Sequence, residues 1–536
     1  MAGFNLADMF EMVADTVPDN CAIVDDKKRL SFAELENRAN RLANHLREQG
    51  IGQGDHIGLQ LRNGSEYIEG MLAAYKLRAV PININFNYVE KELLYLFDNA
   101  DLKALIAHQQ YLPRVSAIRP ELPKLQTILY VADNSGADTG DCGEYESSLQ
   151  AADAKRDFPE RSGDDLYIIY TGGTTGMPKG VMWRQEDIFF AACGGGDPDR
   201  SKGVITHPEQ ICERVAEFDM GALPAAPLMH AAAQWTALNT ILGGTKLVLI
   251  ERYNAEQVLQ LAVDENLVAI SLVGDAMAVP LIEVMDQHPG KYQPAMLMAI
   301  ASGGALFSPS TKERLLAHLP NTLIMDGLGS SETGLMGNKM SSGADASDRE
   351  PRFEVNDSMI VIDDEKRPIE PGSGKVGMLA KKGHVPLGYY KAPEKSAETF
   401  VTIDGQRWAI PGDMATVNAD GTIILHGRGS TSINTGGEKV FPEEVESALK
   451  AHPDIVDAVV VGVADERWGQ KITALLRKKT NSDVDTEQLQ AFCKDYIAGY
   501  KIPKAYLFLD EIKRSPAGKA DYPWAKKTAE SLLAGG

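Results

Sequence analysis

The stretch that decides the fold is 166-LYIIYTGGTTGMPKGV-181, in which an apolar run passes into a loop of glycine, threonine, proline and lysine. Residues 166–170 are rich in β-branched and aromatic side chains, which is typical of a buried strand. Glycines after such a strand let backbone N–H groups approach a ligand closely, hydroxyls add donors, and Lys179 adds a positive charge. The pattern therefore predicts a phosphate-binding loop at the end of a strand.

Two other interpretations of this loop have to be weighed. A glycine-rich surface turn explains a Gly/Thr cluster equally well, although a turn does not need a lysine beside a proline-fixed corner. A Walker P-loop places Ser or Thr after its lysine, whereas Gly180 follows Lys179 here. The stretch is thus either a phosphate loop of another kind or only a turn.

Length and charge limit what the chain can do. It has 536 residues, of which 44% are hydrophobic and 24% charged, so we expect a globular protein with two or more domains. With 54 basic and 75 acidic residues the formal net charge is −21. A surface of that sign repels nucleic acid, so we expect no nucleic-acid partner, and any anionic ligand needs a local positive site.

The cysteines and the N-terminus point to a cytoplasmic protein. The five cysteines are scattered and lack metal-ligand spacing, so they predict reduced thiols and neither a disulfide framework nor a zinc site. The opening sequence "MAGFNLADMFEMVADTVPD" carries acids where a signal peptide needs basic residues and an unbroken apolar core. The apolar stretch 223–250 is interrupted by His230, Gln234, Asn239 and Lys246, so we expect no integral membrane span.

Local patterns predict an α/β architecture. Ser31 and Glu34 form a capping box before a helical run of apolar residues. Short apolar runs such as 57–61 and 104–107 alternate with helical patterns such as 90–97 and 255–264, as in layered α/β folds. Near residue 427 the composition changes to a glycine-rich loop and then to a helix opened by Pro442. The residues after it are numerous enough for a small second domain.

Several further motifs occur along the chain in a fixed order, and together with 170-YTGGTTGMPKGV-181 they resemble the adenylate-forming superfamily. That superfamily includes acyl-CoA synthetases, firefly-luciferase-like proteins and peptide-synthetase adenylation domains. Each motif alone is weak, but the ordered series over nearly the whole chain is specific. The motifs are "PLMHAAAQW" (227–235), "ASGGALF" (301–307), "DGLGSSETG" (326–334), "GYYKAPEKSAETF" (388–400), "PGD" (411–413), "GR" (427–428), "NTGGEKVFPEEVE" (434–446), "YKIPK" (500–504) and "RSPAGK" (514–519).

The resemblance implies a fold and a division of the chain. It implies an α/β protein with a large multi-sheet N-terminal domain and a small, mobile α+β C-terminal domain. We place the N-terminal ATP- and acyl-binding domain at residues 1–429 and the mobile catalytic domain at residues 430–536. Gly429 and Ser430 stand at the hinge, where many relatives carry Asp or Lys, so the exact pivot is left open.

The resemblance also implies an ATP site with Mg²⁺. Residues 171–175 and Lys179 would hold the β- and γ-phosphates, Gly303 and Gly304 would let the adenine lie against bare backbone, and Asp413 would accept from both ribose hydroxyls. The metal would be held by Glu332 and Thr171, because Mg²⁺ prefers hard oxygen ligands. The residues assigned to ATP are Thr171, Gly172, Gly173, Thr174, Thr175, Lys179, Gly303, Gly304, Ala305, Asp326, Gly327, Ser331, Asp413 and Arg428.

The residues assigned to catalysis are Lys519, His230 and Glu332. In the resembled family the lysine of the C-terminal Gly-Lys reaches the acyl carboxylate and the α-phosphate, although local sequence alone reads Lys519 as a solvated loop cation. A lone histidine is usually structural, and the motif assigns His230 to orientation and gating. It is not needed as a base, since a carboxylate nucleophile is already ionised at neutral pH.

The resemblance implies that the chain is an ATP-dependent carboxylate–CoA ligase, which forms an acyl-AMP intermediate and then an acyl-CoA thioester. Coenzyme A would pass along a loop with small residues, for which Gly436, Gly437 and Lys439 are the candidates. The alternatives are a fatty-acyl-AMP ligase and a luciferase-like acyl-adenylate-binding protein, neither of which transfers to CoA. Whether the protein forms a homodimer is left open.

Two local features bear on the acid. The segment 181–198 and the stretch 427–446 are similar to bacterial ligases for fatty acids and, in some members, steroid side-chain carboxylates. The three glycines 194–196 would give floor space to a fused-ring acyl group, or they are simply a flexible loop. Met229 replaces a frequent aromatic residue, so we expect it to leave a roomier wall of the acyl pocket.

Overall fold

The protein is described by a computed structural model. The structure describes residues 3–171, 177–197, 201–216, 219–343, 352–354, 356–435, 438–465, 468–480, 482–515 and 518–534.

The helices found in these ranges are α1 (Leu6–Thr16), α2 (Phe32–Glu48), α3 (Ser65–Lys76), α4 (Glu90–Asn99), α5 (Leu112–Ile118), α6 (Tyr145–Ala151), α7 (Gln185–Ala192), α8 (Ala231–Leu242), α9 (Ala255–Asp264), α10 (Asp275–Gln287), α11 (Pro309–His318), α12 (Pro393–Thr399), α13 (Pro442–Lys450), α14 (Thr486–Cys493) and α15 (Tyr522–Ala534).

The strands are β1 (Cys21–Val24), β2 (Arg29–Ser31), β3 (His56–Gln60), β4 (Val80–Asn83), β5 (Leu102–His108), β6 (Thr127–Val131), β7 (Gly143–Glu144), β8 (Leu166–Thr171), β9 (Lys179–Arg184), β10 (Gly221–Pro224), β11 (Lys246–Val248), β12 (Leu267–Leu272), β13 (Ala299–Gly303), β14 (Leu323–Ser330), β15 (Gly334–Ser341), β16 (Arg352–Phe353), β17 (Met359–Ile362), β18 (Val376–Lys382), β19 (Gly388–Tyr389), β20 (Phe400–Ile403), β21 (Gln406–Ala409), β22 (Asp413–Val417), β23 (Ile423–Arg428), β24 (Ile433–Thr435), β25 (Glu438–Val440), β26 (Ile455–Asp465), β27 (Gly469–Lys478) and β28 (Ala505–Phe508).

These strands form five sheets. Sheet A has the order β15-β14-β13-β12-β10-β11-β1-β2, and sheet B has the order β4-β3-β5-β6-β7. The smaller sheet C is β19-β9-β8, and sheet D is β16-β23-β22-β18-β21-β20 with β17 paired to β18. Sheet E is β25-β24-β27-β26 with β28 paired to β27.

Sheet A is doubly wound, and this fixes where a ligand binds. Strands β10 to β14 run parallel, but the chain moves from β10 to β11 in one direction and then returns across β10 to β12, β13 and β14. Because such crossovers are right-handed, α8 lies on one face of the sheet and α9, α10 and α11 on the other. Ligands of this architecture bind beyond the carboxyl ends of the strands where the order reverses, which here are β10 and β12.

The C-terminal part has its own hydrophobic cores. One forms between sheet E and the helices α13 and α14, and another between sheet E and α15, both separate from the large core under sheet A. Among the described residues, this part meets the rest through few polar contacts: the Ser310 hydroxyl donates to the Lys450 carbonyl at 3.1 Å, and the Lys450 ammonium lies 3.4 Å from Asp275. It is therefore a compact unit docked on a larger body.

The element predictions are largely confirmed. The run 166–170 is strand β8, the patterns at 90–97 and 255–264 are helices α4 and α9, and α2 begins with the expected Ser31–Glu34 capping box. The stretch after residue 431 is not a plain loop, however, because β24 and β25 pair as a hairpin in which Asn434 faces Lys439. Among the helices that the structure describes, none has the length and low charge that crossing a membrane requires.

Candidate active site

The predicted catalytic residues meet at the point where the strand order of sheet A reverses. His230 follows β10 as the N-cap of α8, and the turn after β12 contains Val273. A Cβ placed on Gly518 would lie 3.2 Å from the Val273 carbonyl, so the Gly518–Lys519 segment of the C-terminal unit packs directly against this turn. The two units therefore enclose a cleft at the place that the topology predicts.

Lys519 reaches across the cleft to the turn after β13. A Cβ at Gly304 would lie 3.1 Å from its Cε and 3.4 Å from its Nζ, so the ammonium rests on bare backbone. Lys519 is exposed to solvent at the open side of the cleft, while protein atoms surround its ammonium on the other sides. Burial and Arg428 lower the pKa of Lys519, while Glu332 and Asp413 oppose that change.

Asp413 and Arg428 form one wall of this cleft. They face each other across the β22–β23 ladder, and the Arg428 Nε lies 3.6 Å from the Asp413 Oδ1. Burial raises the pKa of Asp413, Arg428 and Lys519 lower it, and Glu332 adds to the rise. Four charged groups predicted on separate motifs thus act on one another electrostatically in this cleft.

His230 is a neutral group in this cleft. Its Nε2 is buried and has no hydrogen-bond partner within the described structure. Burial, with a smaller effect from Lys519, lowers the pKa of His230 to about 3. A neutral imidazole next to the cleft has a ring nitrogen to offer to a ligand, and it carries no proton charge of its own at neutral pH.

The glycines after β13 and in β14 form a flat surface beside Lys519. Gly303 and Gly327 are register partners, and a Cβ on Gly303 would lie 3.4 Å from the Gly327 carbonyl. Ala305 follows in the turn to α11. Asp326 sits on the other face of the sheet, where its carboxylate forms an ion pair with Lys312. Asp326 therefore faces the cleft with its backbone, while its carboxylate points to the other face of the sheet.

Glu332 lies in the turn between β14 and β15. Its side chain is buried, and its Oε1 accepts a hydrogen bond from the Tyr389 hydroxyl at 3.0 Å. Ser331 precedes it, and its carbonyl accepts from the Trp183 indole. No group of three or more His, Cys, Asp or Glu side chains in the described ranges could cage a metal. One carboxylate fits Mg²⁺, which usually takes its other ligands from phosphates and water.

The phosphate loop and the candidate CoA loop are described only at their edges. Thr171 ends β8 and pairs with Lys179 across the β8–β9 ladder, so both edge residues are held by sheet C. Lys439 is exposed on β25, and within the described structure no contact joins it to Lys519. The other assigned residues lie outside the described ranges: Gly172, Gly173, Thr174, Thr175, Gly436 and Gly437.

Asn83 at the end of β4 is a site residue that the sequence analysis missed. Its amide donates to the Tyr170 carbonyl at 2.8 Å and to the Met229 carbonyl at 2.7 Å, and its oxygen accepts from the Tyr170 N–H at 2.7 Å. It therefore ties the start of the phosphate loop to the residue before His230. The one available signal was a polar residue inside the apolar run 80–84.

A second asparagine holds the segment that leads to His230. The Asn63 amide donates to the Ala226 carbonyl at 3.1 Å, and its oxygen accepts from the Leu228 N–H at 2.7 Å. Asn63 follows β3, and Asn83 ends the neighbouring strand β4. The carboxyl edge of sheet B thus supports the cleft from behind.

An apolar groove leads away from the cleft along sheet A. On the face covered by α9, α10 and α11 the central strands bury Ile270, Ile300 and Ile324. On the opposite face α8 packs on β10 and β11, and α7 packs on β15. The strip between these two helices is half-exposed and made of small or flexible side chains, namely Ala269, Ser271, Ala299, Ala301 and Met325.

The groove has a defined length and an open far end. It starts at Gly303 beside Lys519 and runs down β13 to Met298, a distance of about 16 Å at the rise of a strand. There Leu323 and Met340, which pair with Ala299 and Met325 of the strip, are exposed at 41% and 59%. An extended or bulky apolar group attached to a carboxylate at Lys519 would fit such a strip.

The structure bears on two features that the sequence analysis connected with the acyl pocket. Met229 does not face the groove, because it is buried in a small cluster with Phe86 and Tyr111 on the side of sheet B. The glycines 194–196 form a tight turn with positive φ at each residue, and a Cβ on Gly195 would lie 2.6 Å from the Phe190 ring. Turn geometry and packing therefore explain these glycines without a ligand.

Comparisons with known proteins agree with this geometry. Residues 10–390 match the family model of the AMP-binding enzyme, and residues 444–519 match that of the AMP-binding enzyme C-terminal domain. The chain is 46% identical to a medium/long-chain-fatty-acid–CoA/3-oxocholest-4-en-26-oate–CoA ligase of Mycobacterium marinum, covering 98% of this chain and 97% of that protein. It is 44% identical to a 3-oxocholest-4-en-26-oate–CoA ligase of Rhodococcus rhodochrous, covering 97% and 95%.

A solved structure shows the same fold. The anthranilate CoA ligase AuaEII in complex with anthranoyl-AMP superposes with a TM-score of 0.87 at 22% identity, covering 100% of this chain and 99% of that one. The α/β architecture with a large N-terminal and a small C-terminal domain is thereby confirmed. The chain belongs to the AMP-binding enzyme family and is an acid–thiol ligase that uses ATP and coenzyme A.

Proposed function

We propose that this ligase activates a medium- or long-chain fatty acid or the side-chain carboxylate of a steroid. The substrate carboxylate attacks the α-phosphorus of ATP, pyrophosphate leaves, and the CoA thiol then displaces AMP from the acyl adenylate. The observation that carries the substrate proposal is the half-exposed strip of small side chains that leads about 16 Å from the Lys519 contact to open solvent. The names of the Mycobacterium marinum and Rhodococcus rhodochrous relatives support the same acids.

We assign the adenylation step to charges gathered around the cleft. Both reactants are anions, so catalysis depends on screening charge and aligning the groups. Lys519 would stabilise the charge that builds between carboxylate and α-phosphate, and His230, being neutral, would orient the carboxylate. Asp413 would hold the ribose, and Gly303 with Gly327 would give the adenine a flat backbone surface.

We assign Mg²⁺ to Glu332, with Thr171 as a second oxygen ligand. When bound, Mg²⁺ would supply positive charge beside the leaving pyrophosphate. The protein's own contribution is a buried carboxylate next to the cleft whose Oε1 is fixed by Tyr389. Lys179, which ends the phosphate loop opposite Thr171, would hold the same phosphates.

For the second step we propose that the C-terminal unit rotates about residues 429–431. Its few polar contacts with the larger body allow this, and rotation would withdraw Lys519 and bring the β24–β25 hairpin with Lys439 to the cleft. The domain boundary at residues 429 and 430 and the CoA roles of Gly436, Gly437 and Lys439 are proposals on the motif alone. A cytoplasmic location stays a prediction.

A substrate screen tests the proposal. Medium-chain, long-chain and steroid side-chain acids are compared, with both pyrophosphate release and CoA consumption measured. Ala301→Phe places a ring in the middle of the groove between Ser271 and Met325, so we expect at least a tenfold loss of kcat/KM for long and steroid acids and little loss for short ones. The control is Ala151→Phe on the exposed end of α6.

Other outcomes of this screen contradict the proposal. Pyrophosphate release without CoA consumption would identify a fatty-acyl-AMP ligase or a luciferase-like protein instead. An equal loss of Ala301→Phe activity for short and long acids would mean that the strip between α7 and α8 does not hold the acyl group.

A further inference from the structure

The turn that carries Glu332 is held by side chains from other sheets. The indole Nε1 of Trp183 on β9 donates to the Ser331 carbonyl at 3.0 Å. The hydroxyl of Tyr389 on β19 donates to the Glu332 Oε1, also at 3.0 Å. Sheet C therefore fixes both the backbone before Glu332 and one oxygen of its carboxylate.

A buried lysine holds the other side of this turn. The Lys381 ammonium, on β18 of sheet D, donates to the Thr333 carbonyl at 2.6 Å and to the Leu335 carbonyl at 3.2 Å. Lys381 is 6% exposed, and no carboxylate pairs with it in the described part of the chain. We call Trp183, Lys381 and Tyr389 the turn clamp.

The turn clamp contributes little to the stability of the fold, which indicates that its role is to hold the turn in position. A buried cation held only by neutral carbonyls contributes less to stability than an apolar side chain of similar volume would. Trp183 is completely buried, and its indole N–H donates to the backbone of this turn. Side chains from sheets C and D thus converge on one turn of sheet A. Such convergence restricts the turn to one conformation.

We propose that Trp183, Lys381 and Tyr389 are positioning residues that orient the Glu332 carboxylate toward the divalent cation of a metal–ATP complex. The inference rests on the proposed role of Glu332 as a metal ligand. Hydrogen bonds to a ligating carboxylate fix its direction and are typically worth ten- to hundredfold in metal affinity. With Oε1 engaged by Tyr389, the carboxylate turns its remaining lone pairs to the cation.

Calorimetric titration of the full chain with ATP tests this, once with excess Mg²⁺ and once with EDTA, and without acid substrate so that no turnover occurs. Tyr389→Phe keeps the ring and removes the hydroxyl, and we expect about a tenfold rise of Kd in Mg²⁺ with no change in EDTA. The matched control is Tyr145→Phe, which removes a buried hydroxyl that donates to Glu69 at 2.6 Å elsewhere in the chain. It should leave both Kd values unchanged.

Substitutions of Lys381 provide a second test. Lys381→Met removes the donor to both carbonyls, and we expect a loss of Mg²⁺-dependent affinity similar to that of Tyr389→Phe, about tenfold. Lys381→Arg keeps a cationic donor and should recover most of the affinity. Equal losses with Mg²⁺ and with EDTA would overturn the proposal, because a merely structural role weakens the site for both forms of ATP.

Glu332→Gln separates this inference from the function it rests on. If Glu332→Gln leaves the Mg²⁺-dependent affinity intact, the proposed metal role of Glu332 is wrong. If Glu332→Gln removes that affinity but Tyr389→Phe and Lys381→Met do not, the metal role stands and the turn clamp is refuted.

Discussion

The two sides of the cleft are built in different ways. The N-terminal side is fixed by buried side chains: Asn83 ties the phosphate-loop strand to the residue before His230, and Tyr389 holds Glu332. The C-terminal side presents Lys519, whose carbonyl accepts from the Ser515 N–H of the same unit at 2.8 Å. In the described ranges, buried side chains of the body hold the first side, whereas the second side rests on the body through the few polar contacts of Lys450.

This difference has a functional meaning. Interfaces with few polar contacts separate readily, whereas a buried asparagine that donates to two carbonyls holds its segments permanently. The N-terminal side is therefore suited to take part in both half-reactions. The C-terminal side is suited to place Lys519 in the cleft for one half-reaction and then to move away. Substitutions on the two sides should affect the half-reactions differently.

Lys519→Ala should have the largest effect. It removes the cation that lies on Gly304 beside the cleft, and we expect adenylation to fall about 10²–10³-fold, the usual loss for a charge-stabilising group. Thioester formation from supplied acyl-AMP should be largely unchanged, because it does not use Lys519. The two half-reactions are followed by pyrophosphate release and by CoA consumption.

The control for this substitution is Lys513→Ala, an exposed lysine of the same unit. It should leave both half-reactions intact. If Lys519→Ala lowered the two half-reactions equally, the lysine would serve the whole cycle and the idea of an alternating C-terminal side would be wrong.

Asn83→Asp should have an intermediate effect that is shared by both half-reactions. The substitution puts a carboxylate oxygen where an amide now donates to the Tyr170 and Met229 carbonyls, and leaving such buried groups unpaired costs about 1–3 kcal/mol. We expect about a tenfold loss in adenylation and a similar loss in thioester formation. Asn87→Asp, at an exposed position of the same segment, is the control. A loss confined to adenylation would contradict a permanent role.

Local sequence was sufficient for the elements of the fold but not for the way they meet. The run Leu166–Tyr170 and the Ser31 capping box specify their elements through neighbours in the chain, and both are found where expected. The hairpin β24–β25 was missed because its pairing is completed by Thr435 against Gly469 on β27, a contact distant in sequence. Strand pairing of this kind depends on tertiary context more than on propensity.

The site shows the same limit. Lys519, His230 and Asp413 could be predicted, because each stands at a fixed position in a short sequence motif. Asn83 and Tyr389 were not named, because their partners lie 146 and 57 residues away and nothing local marks the contact. Met229 was assigned to the wrong wall for the same reason, since only the tertiary packing places it against Phe86.

The smallest expected effect is on thermal stability, and it concerns the contact between the two sides where Glu443 of α13 lies against β23. A Cβ on Gly427 would lie 2.5 Å from the Glu443 Oε2, which is buried without a hydrogen-bond partner. Burial, with Glu446, Asp413 and Glu444, raises the pKa of Glu443 from 4.5 to about 8. Between these two values the unfolded chain releases a proton that the folded chain keeps, so stability contributed here is present at low pH and is lost as pH rises to about 8.

Glu443→Gln removes this titration and keeps the shape of the side chain. Measured by differential scanning calorimetry, the melting temperature of the variant should match that of the parent near pH 5 and exceed it by a few degrees near pH 8, whereas Glu438→Gln on the exposed strand β25 should change neither. A uniform decrease at every pH would show that the carboxyl is ionised and bonded at this contact. An ionised Glu443 would then hold the C-terminal side on the body, and the proposed rotation of that side would need another explanation.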